Sequence, residues 1–305
     1  MIRQAAFQDP GRRMLRGGLH CHTTRSDGEL SPEEALRLYG ENGYDFLALT
    51  DHRRYNYRDF APESGVLVLP GMEMDRDFSD RRYGRCIHTV CVGPEKEKGN
   101  AYDHDQTFDG GKVADPLGYQ PVIDGMRDAG NLVIYCHPDW SCTPYTTVDK
   151  LRGCFAMEIW NSCCVDMNGM DSNAYCWDEL LREGVRVFGV ATDDGHFRAN
   201  YCVGWVRVAA EKDVSDILRA LEAGAFYASC GPEIYDFFTE DGNVTVKCSP
   251  ASRIRIIDST FPSAKNEGDG LTEMTAPLKD GVSYVRAEIT DADGRMAWTN
   301  PIYLD

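Results

Sequence analysis

LRGGLHCHTTRSDGELSPEEALRLYGENGYDFLALTDH, residues 15–52, reads as a strand, a helix and a second strand. The apolar run Leu15–His20 ends on a histidine, and Tyr44–Thr50 runs directly into Asp51 and His52. Between them Ser31 is placed as a helix N-cap, Pro32 at the first helical position and Glu34 as the return partner of a capping box, while Gly43 stops the helix. A strand that returns through a helix to another strand is the unit of a parallel sheet with its ligands at the strand ends.

The same alternation continues outward. Gly65–Glu73, Cys86–Gly93, Leu132–His137, Phe155–Trp160 and Val185–Ala191 read as further strands, and helices are expected over Asn173–Arg182 and Val214–Glu222. In the last of these Ile217, Leu218 and Leu221 share one face and Gly224 ends the run. Seven strands predict an α/β fold, a distorted seven-stranded (β/α) barrel that is closed or nearly so. From about Tyr235 the pattern changes to Val244–Cys248, Arg253–Ile257, Tyr284–Ile289 and Met296–Tyr303, punctuated by Asp-Gly turns at 241, 280 and 293. That is the pattern of a small antiparallel β appendage, so the expected division is 1–232 for the barrel and 233–305 for a β-rich subdomain. The polar tract Lys96–Asp115 is expected as a long loop beside the site.

The 305 residues are 42% apolar and 27% charged, ordinary for a soluble globular protein, with a formal charge of −17. Such a charge argues against binding to nucleic acid or to an anionic membrane, because both demand lysine and arginine surface. No segment resembles a signal peptide and no apolar run is long enough to span a bilayer, so a cytoplasmic location is expected. The 12 cysteines are scattered without a CxxC pair and read as reduced core residues, with a cysteine ligand as a minor option.

Seven histidines occur, and all but His104 fall at or just beyond the carboxyl end of an expected strand. They are His20, His22, His52, His88, His137 and His196. One such histidine is ordinarily a hydrogen-bonded structural residue; six sharing one placement point to a common site, because barrels build active sites at that end. His20 and His22 are two apart, which turns both side chains to one side and Cys21 to the other. Carboxylates accompany them: Asp27 in a Ser-Asp-Gly turn, Glu73 after Pro70-Gly71, and the pair Asp193-Asp194 before His196. Mixed imidazole and carboxylate ligation suits zinc, manganese or iron rather than calcium or magnesium.

These blocks, HxH, SDG, TDH, PGxE, His, HP and DxH in that order over roughly residues 15–230, resemble the motifs of the polymerase and histidinol phosphatase (PHP) family. The phrases FYASCGPEI and AWTNPIYL are similar to the branch that includes carbaryl-hydrolase-type metallohydrolases. The resemblance implies a PHP-type barrel holding two to three divalent transition-metal ions, a trinuclear centre at full occupancy. It implies a first ion on His20, His22, Glu73 and Asp194, a second on Glu73, His88 and His137 with Glu73 bridging, and a third on Asp27, His52 and His196. Glu73, Asp194 and His196 would be the catalytic residues. Asp51, Asp139 and Asp193 would orient ligand imidazoles, although turn and cap roles explain them equally well.

The implied activity is a metal-dependent hydrolase, foremost a phosphoesterase acting on a small phosphate monoester through a metal-bound hydroxide. Hydrolysis of a carbamate, ester or amide on the same centre is the alternative, and a non-catalytic metal-binding scaffold the weakest. The expected partner is a small, phosphorylated molecule. For its recognition Arg85, Asn161, Arg198 and the Arg53–Arg54 pair stand near the motifs, where solvated surface roles are at least as well supported.

Overall fold

The computed structural model describes residues 3–6, 12–172, 174–260 and 264–304. It is a mixed α/β fold whose strands form a twelve-stranded and a six-stranded sheet. The opening βαβ unit is present: Met14–Gly18 and Phe46–Ala48 pair in parallel, with the helix Pro32–Glu41 between them. Its start is the capping box of Ser31 and Glu34, whose side chain and backbone satisfy each other's orphan groups. Leu67–Leu69 extends this parallel set.

At Pro70 the expected strand Gly65–Glu73 divides in two. Leu67–Leu69 stays in the larger sheet, and Gly71–Phe78 crosses to the smaller one, where it pairs antiparallel with Cys86–Val92. Proline has no N–H to give to a ladder, which makes it a natural point for the chain to change sheets. Cys86–Val92 in turn pairs antiparallel with Leu132–Tyr135, after which Leu132–Tyr135, Cys154–Asn161 and Phe188–Thr192 continue in parallel, and the short strand Lys112–Val113 pairs in parallel with the end of Gly71–Phe78. The seven expected barrel strands are thus split between two sheets, and the parallel order is interrupted by one hairpin.

One apolar core nevertheless joins them. Leu15, Phe46, Leu69, Val90, Ile134, Ala156, Val190 and Val206 form a single buried cluster drawn from both sheets. At the histidine-bearing end, two isolated parallel bridges, Cys21 with Gly195 and His52 with Glu73, stitch one sheet to the other.

Of the expected helices, Val214–Glu222 is present with those bounds and the other runs Tyr175–Arg182; Asn173 lies outside the described residues. A further helix, Pro116–Asp128, follows the polar tract. The carboxyl-terminal strands are longer than the turn signals suggest. Asn243–Asp258 is one strand of 16 residues, and Ala264–Pro277, mostly exposed, pairs along it. Their sheet is continuous with the amino-terminal strands through Met296–Thr299 and Phe226–Ser229. Arg286, 1% exposed, locks this region to the helix Tyr175–Arg182 by a bidentate bond to Asp178 and a third contact to Glu288. Among the described residues no helix is long and apolar enough to cross a membrane.

Candidate metal centre

The structure brings His20, His22, Asp27, His52, Glu73, His88, His137, Asp194 and His196 into one cluster. Five lie on a buried floor, and Asp27, His52 and His196 form a more open rim with His88 at one side. His20, His22, His52, His137 and Asp194 follow the carboxyl ends of parallel strands. Glu73 and His88 belong to the antiparallel hairpin, on which Asp75 opposes His88 and Glu73 sits two residues along. Side chains two apart on a strand share a face, so Glu73 and Asp75 reach the cluster together.

The imidazoles are oriented one by one. Nδ1 of His20 is 2.8 Å from Glu158 Oε1, Nδ1 of His22 is 3.2 Å from Ser26 Oγ, Nδ1 of His137 is 3.1 Å from Ser141 Oγ, and Nδ1 of His196 is 2.7 Å from the Asp194 carbonyl oxygen. With these partners as acceptors, Nδ1 carries the proton and Nε2 presents its lone pair inward. His20 Nε2 and His22 Nε2 are 3.1 Å apart, and both lie 3.2 Å from Asp194 Oδ1. Two such nitrogens need a proton or a cation between them, and about 3.3 Å is their separation as two ligands of one tetrahedral ion. His52 and His88 instead direct Nδ1 at the two oxygens of Glu73, at 2.9 and 2.8 Å.

The donor set fits a cation on a second count. His52 Nδ1, Glu73 Oε2 and Asp194 Oδ1 are buried and make no well-aligned hydrogen bond, although His52 Nδ1 and Glu73 Oε2 lie 2.9 Å apart and Asp194 Oδ1 lies 3.2 Å from Nε2 of His20 and of His22: the atoms converge without satisfying one another. Buried polar atoms left unpaired are costly, and convergent ones mark a missing charge. By distance, His22, Asp27, His52 and His196 form one possible ligand group, His20, His22 and Glu73 another, and His52, Glu73 and His88 a third. Cys136 lies within reach of Glu73 and His137, but its thiol is pushed well above the usual range by burial and by Glu158.

The electrostatics agree. Burial pulls each imidazole down, but the carboxylates around them prevail: His52 and His88 are raised to about 10 and His196 to about 11. Burial opposes the ionised form of Glu73, yet the field of His52, His88 and His20 holds it well below the usual carboxylate range. Protons here occupy places that cations would take.

The chain is bent to make this arrangement. His137 and Asp194 are non-glycine residues at positive φ, 27° and 48°, a strain of the kind kept at functional positions. A Cβ on Gly28 would meet the His22 backbone at 2.5 Å, so the Ser-Asp-Gly turn needs glycine to bring Asp27 to the rim.

The other residues singled out from sequence divide. Asp51 accepts bonds from Thr23 and from Ser26 Oγ, and so acts on His22 through that serine. Asp193 is turned away from the cluster and accepts the Tyr39 hydroxyl together with the N–H groups of Cys202, Val203 and Gly204. Asp139 is exposed and its carboxylate accepts from the Asp171 N–H, not from an imidazole. Asn161 is fully buried and its amide is committed to Glu158 and Asp194, which leaves no donor for substrate. Arg198 is 69% exposed beside Glu29, and Arg85 stacks on Trp140 at 3.6 Å.

Two carboxylates carry no motif. Glu158, 0% exposed at the side chain, takes bonds from His20, Thr192, the His137 N–H and Asn161. Asp75 lies 3.3 Å from His52 and pairs with Arg53. A lone glutamate inside the apolar run FAMEIW and the Glu-x-Asp spacing after Pro70 are the signals that mark them.

No family model matches the chain. Over 82 residues it is 37% identical to the 5′-3′ exoribonuclease of Haemophilus influenzae, a stretch that is 26% of this chain and 28% of that protein. The match therefore spans under a third of that relative. Among solved structures, it is similar to a Bacteroides vulgatus two-domain protein containing a predicted PHP-like metal-dependent phosphoesterase, at 14% identity over 98% of each chain with a TM-score of 0.48. An amidohydrolase from Chromobacterium violaceum, solved with bound sulfate and no metal, is similar at 16% identity over 59% of this chain and 87% of that one, with a TM-score of 0.42.

Proposed function

We propose that this chain is a metal-dependent hydrolase of PHP type, and that it cleaves small phosphate monoesters. The observation that carries the reading is the convergence of buried polar atoms of His52, Glu73 and Asp194 that lie within ion-pair distance of the surrounding imidazoles yet make no well-aligned hydrogen bond. The short stretch shared with an exoribonuclease is in keeping with phosphoester chemistry in general; the choice of monoesters rests on the charge of the site. We assign His20, His22, Glu73 and Asp194 to a first ion, Glu73, His88 and His137 to a second, and Asp27, His52 and His196 to a third, with residues 1–232 carrying the chemistry and 233–305 supporting it. The carbaryl-hydrolase-type branch remains the finer placement, and twelve free cysteines fit a reducing, cytoplasmic setting.

Divalent ions held there would polarise the scissile bond and lower the pKa of a coordinated water. The residues divide the remaining work. Glu158, Ser26 and Ser141 fix the rings of His20, His22 and His137, and Asn161 holds Asp194. Asp27, His52 and His196, on the open rim, stand where substrate enters.

Charge decides between substrate classes. Glu158 joins Asp27, Glu73 and Asp194 as a buried or ligating carboxylate, so three divalent ions leave a net of about +2, or about +1 once a coordinated water has ionised, which favours an anionic phosphate monoester. Two ions leave about zero, and at that occupancy a neutral carbamate, ester or amide is the better fit. Elemental analysis should return two to three transition-metal ions per chain, and at the higher loading p-nitrophenyl phosphate should be turned over faster than an uncharged p-nitrophenyl carbamate. A metal content below one that added manganese or zinc does not restore would end the metallohydrolase reading, and faster turnover of the carbamate at full loading would end the phosphate one.

A further inference from the structure

We propose that the rim of the centre carries a second anion subsite, so that the substrate bears, besides the phosphate to be cleaved, another anionic group held by Arg25, Arg53 and Arg54. The first group rests on the phosphoesterase reading; the second rests on the rim's own geometry. A cavity of about 320 Å³ opens against Asp27 and His52, and its walls include the three arginines and the ring of Phe108. Its place is the exposed side of the cluster, where substrate must enter.

The arginines are crowded there in a chain whose formal charge is −17. Arg25 and Arg54 both reach for Asp105, and Arg25 and Arg58 lie over the same Phe60 ring at 5.2 and 5.8 Å. Arg53 is bound to Asp75. The three guanidinium groups of the wall thus meet two carboxylates, Asp105 and Asp75, while the wall's own carboxylate, Asp27, is the one assigned to a metal ion; a bound anion would correct that imbalance.

The wall is also built in advance. Tyr55 N–H donates to the Gln106 carbonyl, Asp105 N–H to the Tyr55 carbonyl and Phe108 N–H to the Arg53 carbonyl, pinning the polar tract to the segment after His52. Arg53 and Asp105, on facing sides of this bridge, both have positive φ, 55° and 63°. Strain at two non-glycine residues around one cavity is what a fixed recognition pocket retains.

The test is equilibrium binding, by calorimetry, of propane-1,3-diphosphonate and of propylphosphonate to zinc-loaded protein freed of excess metal. The diphosphonate should bind about tenfold tighter or better. Arg54→Ala should remove most of that preference, and Arg54→Lys should keep part of it, because lysine lacks the planar fork. Asp105→Asn removes the competing carboxylate at a position whose left-handed backbone asparagine tolerates, and should strengthen diphosphonate binding. Equal affinity for the two phosphonates, or a preference that Arg54→Ala leaves intact, overturns the subsite. A zinc-loaded protein that hydrolyses no phosphate ester yet keeps an Arg54-dependent preference refutes the phosphoesterase reading and upholds the subsite.

Discussion

Glu158→Gln is the perturbation that tests most directly whether this cluster is a metal centre held from behind. The carboxylate is fully buried and accepts four donors: His20 Nδ1 at 2.8 Å and Thr192 Oγ1 at 2.6 Å on one oxygen, the His137 N–H and Asn161 Nδ2, both at 2.9 Å, on the other. Glutamine keeps the shape but offers one acceptor oxygen, so two of the four donors must face an NH2 group. Each buried donor left unpaired costs about 1–3 kcal/mol, and because the Thr192 hydroxyl can turn to accept from the amide, one or two donors are stranded and the loss of folding stability is about 1–6 kcal/mol. Whichever way the amide turns, either the His20 ring or the His137 backbone loses its anchor, and such supporting partners are worth about 10–100-fold in metal affinity. Zinc or manganese titration by calorimetry, at a temperature where circular dichroism shows both proteins folded, measures this. Thr192→Val removes only one donor and should lower affinity far less. A folded Glu158→Gln protein that binds metal within about threefold of wild type would refute the reasoning.

Glu73→Gln should lower turnover by several orders of magnitude in a protein that still folds, while His104→Ala, outside the cluster, should change it less than about threefold; comparable losses in steady-state assays would mean the site is misplaced. Because His52, His88 and His196 are raised to between about 10 and 11 in the metal-free protein, metal binding at pH 7 must displace their protons. Calorimetry in buffers of different ionisation enthalpy should show more than one proton released. The same shifts set the stability of metal-free protein: a raised imidazole stabilises the fold fully below about 6.5 and loses that contribution as pH rises through 10 to 11, so the Tm of chelated protein should fall over that window. A Tm that rises there contradicts the assignment. Arg286→Ala leaves Asp178 and Glu288 without their shared partner and should cost about 3–5 kcal/mol in denaturant unfolding, with metal affinity unchanged once folded.

The residues that converge on the candidate centre were legible because their placement is local. A histidine at the end of an apolar run lands at one end of the sheet whatever the strands do next, and periodicity two decides which neighbours share its side; the placement of His20 and His22 follows from that alone, whereas Asp27 is marked by its Ser-Asp-Gly turn and by the family resemblance. The helix after them is equally local, since its capping box is written within four residues. Strand pairing is not local. Nothing in Gly65–Glu73 says that the chain leaves one sheet for the other at Pro70, or that the next hairpin turns antiparallel, because pairing depends on partners far along the chain. The supporting shell depends on tertiary structure for the same reason. Glu158 meets His20 across 138 positions of sequence, and Asn161 meets Asp194 across 33, so their roles exist only once the strands stand side by side. Charge at the rim shows the contrast most plainly: the composition predicts an acidic protein, yet the fold gathers Arg25, Arg53 and Arg54 from two loops around one cavity, and a local field depends on distance, which composition does not contain.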